Sequence, residues 1–210
     1  MGVSRETSPP EVAAKVLGDR VQVMSAYVDL LADAGVVRGL IGPREVPRLW
    51  DRHILNCGVV APALPSGASV ADVGSGAGLP GMVWAVARPD VSFTLIEPLL
   101  RRTTFLEEAV ATLGLENVTV LRARAEEVRE QYDIVTSRAV AALDKLVRWS
   151  LPLVMPGGQM WAIKGSSASD EVKQALSTIR AAKGTNPRVK SYGEGVVETP
   201  TTMVMIDKVA

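Results

Sequence analysis

The chain has 210 residues, 47% of them apolar and 22% charged, with 23 basic side chains against 23 acidic ones. That is the size of one α/β domain with a small extension, apolar enough for a normal core, and neutral enough that any polyanion binding must come from a local patch. One cysteine, Cys57, and one histidine, His53, exclude a disulfide framework, a Cys-rich zinc site, an iron–sulfur cluster and any site needing two imidazoles, so no metal is expected.

Residues 1–10 are polar and close on Pro9-Pro10, which predicts a flexible tail. They lack the apolar core of a signal peptide, and no stretch in the chain reaches the roughly 18 apolar residues of a membrane span. The expectation is a cytoplasmic protein without a membrane partner. From Glu11 to Ala34, Val12, Val16, Leu17, Val21, Met24, Val28 and Leu31 recur at helical steps, predicting one or two amphipathic helices broken near Gly18. A further helix is expected from Pro43 to Asn56, with Val46, Leu49, Trp50 and Ile54 as its apolar stripe and Arg48, Arg52 and Asn56 on a polar face. Residues 11–66 thus read as a helical N-terminal extension.

Residues 67–210 change character. Short β-branched runs at Ser69–Val73, Ser92–Ile96, Val118–Leu121, Tyr132–Thr136 and Gln159–Lys164 read as strands. Helical patterns alternate with them near Gly81–Ala87, Leu99–Leu113, Ala125–Gln131, Ala142–Leu151 and Ala168–Ala182. Arg188–Tyr192 and Met203–Ile206 could pair antiparallel at the sheet edge. The pattern predicts an α/β, Rossmann-like core: a seven-stranded, mostly parallel sheet with helices on both faces.

The most informative stretch is Asp72-Val73-Gly74-Ser75-Gly76-Ala77-Gly78-Leu79-Pro80-Gly81. Glycines after a buried strand let the backbone turn sharply and approach a ligand. Glu97, at the end of the second strand, is placed to accept both hydroxyls of a ribose. Gly76-x-Gly78-x-x-Gly81 matches the dinucleotide pattern literally, which leaves a nicotinamide-dependent oxidoreductase open. In the register set by the strand, however, the loop is Gly74-x-Gly76-x-Gly78 behind Asp72, and a dinucleotide loop would need its third glycine at Leu79. The arrangement resembles the first motif of class I S-adenosylmethionine-dependent methyltransferases, which have no pyrophosphate to cradle. Gly74, Gly76, Gly78 and Leu79 are therefore candidate cofactor contacts.

After the third strand, Arg122-Ala123-Arg124-Ala125-Glu126 fills the loop that borders the adenine in that fold. After the fourth comes Ser137-Arg138-Ala139, not the Asn/Asp-Pro-Pro-aromatic motif of exocyclic-amine methyltransferases; a pyrimidine carbon-5 enzyme would need a cysteine nucleophile, and Cys57 lies in the extension. A ring nitrogen such as N7 of guanine carries an in-plane lone pair and loses no proton, so alignment and desolvation suffice. Arg101, Arg102, Arg122, Arg124, Arg138 and Lys164 fall near strand ends, the face where α/β sheets bind ligands, and suit phosphates. A small-molecule methyltransferase and a non-enzymatic RNA-binding protein remain rivals.

Trp50-Asp-Arg52-His53-Ile-Leu-Asn56, the loop ending Leu79-Pro80-Gly81, Ser137-Arg138-Ala139 and Lys164-Gly165 occur in an order that resembles the ribosomal RNA small subunit methyltransferase G family, also called glucose-inhibited division protein B. The likeness runs from about Val21 to the C-terminus. It implies methylation of N7 of guanine 527 in 16S rRNA, with S-adenosylmethionine as cofactor and 16S rRNA or the small ribosomal subunit as partner of a monomeric enzyme. It implies donor contacts at Gly74, Leu79, Glu97, Ala125, Glu126 and Arg138. Arg52, His53, Asn56 and Lys164 would face the RNA side, where Lys164, His53 and Asn56, with Arg138, position the substrate. Together with the strand-end cations Arg101, Arg122 and Arg124, Arg52 and Lys164 are the candidate RNA-binding residues. One departure stands out: members often carry an arginine just before the last strand, where this chain reads Glu198-Thr-Pro-Thr-Thr202.

Overall fold

The computed structural model describes residues 7–138 and 141–209. Residues 1–6 of the expected tail, Ala139 of the Ser-Arg-Ala motif and Ala210 lie outside the described residues. Thr7, inside the expected tail, is buried, and its carbonyl accepts the Trp50 indole N–H at 2.7 Å.

The extension opens with α1 (Glu11–Leu17). Gly18, at φ +57°, breaks it, and α2 (Val21–Leu30) follows, prolonged by a π-helical turn at Leu31–Gly35. The expected helix from Pro43 to Asn56 is not regular. Pro47 has no N–H for an i→i−4 ladder, so Pro43–Arg48 winds as 3-10 helix and Leu49–Leu55 widens into π-helix before the short α3 (Asn56–Gly58).

Strands β1 (Ser69–Val73), β2 (Ser92–Ile96), β3 (Val118–Leu121), β4 (Tyr132–Arg138), β5 (Val154–Lys164), β6 (Gly184–Tyr192) and β7 (Thr201–Lys208) form one sheet in the order β3-β2-β1-β4-β5-β7-β6. All neighbours pair parallel except β7, which runs antiparallel to both β5 and β6. The connecting helices are α4 (Gly81–Ala87), α5 (Leu100–Leu113), α6 (Leu143–Ser150) and α7 (Ala168–Ala181). Gly114, in the left-handed region at φ +63°, closes α5: its N–H donates to the Ala111 carbonyl and the Leu115 N–H to the Val110 carbonyl.

The helix expected over Ala125–Gln131 is a correction: only Ala125–Glu127 winds, as a 3-10 turn, and Val128 is already extended. Val128 is the one buried residue between the turn and Tyr132, so no second apolar position defines a helical stripe.

Strand alternation divides the interior in two. Val70, Leu95, Ile134, Trp161, Ile163, Met203 and Met205 face α4, α5 and the extension, where Met24, Tyr27, Leu49 and Ile54 are buried against them. Ala71, Val73, Ile96, Val135, Ala162, Val204 and Ile206 face α6 and α7. Arg138 shares the first face with Ile134 and Thr136, whereas Ser137 and Lys164 belong to the second, and this parity decides what each can reach.

Candidate active site

At the carboxyl ends of β1, β2 and β4 lies a cleft of about 800 Å³, walled on one side by Leu40, Ile41, Glu45, Arg52 and His53 of the extension. Gly74, Gly76, Leu79, Glu97, Ala125, Glu126 and Arg138 all line it. The crevice falls where the sequence order of the strands reverses, between β1 and its parallel neighbour β4.

The glycine loop is held from below. Gly74 and Ser75 donate to the Ile96 carbonyl at 2.8 and 3.2 Å, Gly78 donates to Ser75 at 2.7 Å, and the Tyr27 hydroxyl of α2 donates to the Ala77 carbonyl at 2.5 Å. Gly74, Gly76 and Gly78 all have positive φ, but their surroundings differ. A Cβ on Gly76 would meet only the Gly74 carbonyl, at 3.8 Å, so the backbone there fronts open cleft. A Cβ on Gly78 would lie 2.5 Å from Met82 and 2.7 Å from the Tyr27 hydroxyl, and Gly78 does not line the cleft. Its glycine is required by packing.

Glu97 is buried yet lines the cleft. Its carboxylate accepts the Gly76 N–H at 3.0 Å and the Leu99 N–H at 3.1 Å, with Arg102 at 3.4 Å. The acid is therefore clamped between the loop and the start of α5, facing a wall that includes Leu79, Leu99, Ala125 and Trp149. Open space at Gly76 beside a fixed carboxylate fits an adenosine: hydroxyls for Glu97, and a ring for the apolar wall. These residues fit S-adenosylmethionine.

They do not fit a dinucleotide. The N–H of Gly81, first residue of α4, donates to Asp72 Oδ2 at 2.9 Å, so a carboxylate already caps the helix where a pyrophosphate would sit. A Cβ on Gly81 would lie 2.4 Å from Leu95, so this glycine too serves packing. Burial raises the Asp72 carboxyl to about 7, and its Oδ1 has no hydrogen-bond partner among the described residues.

Arg138 ties the sheet to the extension. Its Nη2 donates to the Arg52 carbonyl at 2.9 Å and to His53 Nδ1 at 3.0 Å, and its Nη1 lies 3.0 Å from Cys57 Sγ. Because a guanidinium only donates, His53 Nδ1 must accept, which puts the proton on Nε2, 3.0 Å from Glu45 Oε2. Burial, reinforced by Arg138, holds His53 below the usual imidazole range, and the hydrogen bond from His53 holds Glu45 below the usual carboxylate range. Burial pushes the Cys57 thiol up, away from the reactive thiolate.

The remaining candidates scatter. Arg52 lines the cleft and pairs with Glu45 at 3.0 Å, and exposed Arg124 lines the opposite wall. Arg101 and Arg122 are exposed and outside the cleft. Asn56 is also outside it; its side-chain amide donates to the Thr199 carbonyl at 3.4 Å, and the Asn56 carbonyl accepts the Thr201 hydroxyl at 2.5 Å, so the segment before β7 is pinned to the extension. Lys164 points to the far face, pairing with Glu171 at 2.7 Å and donating to the Ala141 carbonyl. Sequence reading passed over Leu40, Ile41, Glu45, Leu99 and Trp149. Glu45 reads as an ordinary first-turn acid, and Trp149 carries no signal beyond being aromatic at the edge of an amphipathic helix.

Comparison with known proteins agrees with this geometry. The S-adenosylmethionine-dependent O-methyltransferase of Thermotoga maritima superposes with a TM-score of 0.52 at 18% identity, covering 73% of this chain and 64% of that one. M. jannaschii TYW2, solved in complex with AdoMet, gives 0.57 at 15% identity, covering 76% of each chain. At such identities the likeness is one of fold. Sequence carries more. The chain is 57% identical to ribosomal RNA small subunit methyltransferase G of Corynebacterium glutamicum (strain R), over 95% of this chain and 92% of the relative. It is 54% identical to the protein of that name from Salinispora tropica, over 98% and 90%. The family model described as rRNA small subunit methyltransferase G matches residues 20–199. The chain belongs to the rRNA small subunit methyltransferase G family.

Proposed function

We propose that this family member transfers a methyl group to N7 of a guanine, guanine 527 in the 530 loop of 16S rRNA, acting as a cytoplasmic monomer. Family membership makes it an S-adenosylmethionine-dependent rRNA methyltransferase. The choice of N7 is supported by the state of the groups at the β4 end of the cleft. Both ring nitrogens of His53 are engaged, by Arg138 and Glu45, and the Glu45 carboxylate is held by Arg52 and His53. Neither is poised to take a proton from an amine or hydroxyl, and N7 releases none.

S-adenosylmethionine supplies an electrophilic methyl, and its transfer returns the carbon–sulfur bonding pair to sulfur as S-adenosylhomocysteine. The protein's part is placement. Glu97 would hold the ribose edge, the backbone at Gly74, Gly76 and Leu79 would run beside the rest of the donor, and Ala125 and Glu126 would border the adenine. Arg138 fixes His53 and the Arg52 backbone, so that the extension wall stands in place beside the target half. Arg52, Arg124 and, further out, Arg101 and Arg122 are the cations offered to phosphates. Lys164 acts at one remove, holding the β4–α6 connection through Ala141 and Glu171.

Incubation with labelled donor and unmodified 16S rRNA, followed by cleavage at 7-methylguanine, tests the reading. A single cleavage at guanine 527 is expected; label at an exocyclic amine or on another base overturns it. Light scattering at 22.3 kDa checks the monomer.

A further inference from the structure

The target half of the cleft holds one carboxylate, Glu45, that the placement of the donor does not use. It stands on the 3-10 turn Pro43–Arg48, lines the cleft and leaves 29% of its side chain exposed. The other two carboxylates that line the cleft, Glu97 and Glu126, are taken up by the ribose and adenine of the donor in that reading. Glu45 is held ready. His53 Nε2 fixes Oε2 at 3.0 Å, and one Arg52 nitrogen sits 3.0 and 3.2 Å from Oε1 and Oε2. His53 is in turn held by Arg138, so the carboxylate is oriented from the strand end through two side chains.

We propose that Glu45 selects the target base by accepting the N1–H and N2–H of guanine. This deepens the reading of the protein as a guanine-N7 methyltransferase and rests on it. Guanine presents two parallel donors on its Watson–Crick edge, a match to the two oxygens of a carboxylate; adenine presents a bare N1 there, which a carboxylate repels. N7 lies on the opposite side of the purine from N1 and N2. A guanine gripped by Glu45 therefore turns N7 away from the extension and into the cleft. The usual arginine grip on guanine, through O6 and N7, would block the reacting atom. Lone-pair capacity allows the contact: Arg52 shares one nitrogen between both oxygens, and its half-exposed side chain is free to leave for an RNA phosphate.

The test compares 16S rRNA ligated with guanine or with inosine at the target, inosine lacking only the N2 amino group. The wild type is expected to lose roughly ten-fold in kcat/KM on inosine, the effect of one hydrogen bond to a charged group. In Glu45→Ala the two RNAs should react within about two-fold of each other, whatever the overall rate. Glu45→Gln, which keeps the bulk and turns an amide donor toward N2, should prefer inosine. Binding of S-adenosylhomocysteine, unchanged in both variants, shows that the fold is intact. Wild-type discrimination surviving in Glu45→Ala, or a wild type indifferent to inosine, overturns the proposal while the methylation reading stands. A wild type that methylates neither RNA overturns both.

Discussion

Arg138, the last residue of β4, lies against His53 of the extension, Nη2 to Nδ1 at 3.0 Å, and the same guanidinium takes the carbonyls of Arg52 and His53. One side chain thus joins the sheet to the wall of the cleft. Replacing it with alanine leaves two carbonyls and a ring nitrogen without their donor, at a cost of about 1–3 kcal/mol. The target wall is displaced at the same time, and small displacements at a reacting centre cost roughly a hundred-fold in rate. Arg138→Ala is therefore expected to suppress methylation far more than it lowers the urea midpoint. Losses that track each other, variant by variant, would assign Arg138 to structure alone.

Glu97 receives the Gly76 and Leu99 N–H groups and presents its carboxylate to the cleft. Removing the charge in Glu97→Ala should raise the calorimetric Kd for S-adenosylhomocysteine by about 10- to 100-fold, the value of charge-assisted hydrogen bonds. An unaltered Kd would remove the ribose assignment. NADH should give no binding heat with either protein, because Asp72 occupies the start of α4.

Asp72 supplies a pH signature. Its folded carboxyl titrates near 7 because burial penalises the charge, against about 3.9 for an unfolded aspartate. Between these values the native state binds more protons than the unfolded state, so stability falls as pH rises through the window and is flat above it. Three units at 1.36 kcal/mol each give a loss on the order of 4 kcal/mol. His53, held below the imidazole range, works the other way, losing stability as pH falls below about 6.5. The stability of the wild type relative to Asp72→Asn isolates the aspartate: it should fall steadily from pH 4 to 7 in urea titrations. A pH-independent difference would mean that Asp72 is ionised throughout.

The glycines of the loop should separate by role. Gly78→Ala drives a methyl into Met82 and the Tyr27 hydroxyl at φ +96° and is expected to cost at least 1–3 kcal/mol by overpacking alone. Gly76→Ala meets nothing nearer than 3.8 Å and carries only the left-handed penalty, so its main effect should fall on donor affinity. Thermal melts with and without S-adenosylhomocysteine distinguish the two. Equal shifts in both variants would contradict the division.

Much of this architecture is written in local pattern. The strands Ser69–Val73, Ser92–Ile96 and Val118–Leu121 have the bounds that their β-branched runs predict, since each is a short apolar segment between turn residues. The glycine loop and Glu97 are legible for the same reason, being set by the covalent sequence around one strand end. What sequence could not supply is parity across the sheet. Lys164 looks like a partner of Arg138 at neighbouring strand ends, yet pleating sends it to the α7 side, where Glu171 neutralises it. Nor could periodicity foresee Glu45. Pro47 converts the expected regular helix into 3-10 and π-helical turns, and that irregular winding brings Glu45 beside Arg52 and His53, seven and eight positions later.

The apolar face bearing Val70, Leu95, Ile134 and Trp161 is covered jointly by α4, α5 and the extension from Ala13 to Leu64. Trimming those residues away would not yield a smaller donor-binding module. It would strip Tyr27 from beneath the glycine loop and leave an oily surface bare to water, so the sheet and the helical wall of the cleft stand or melt as one cooperative unit.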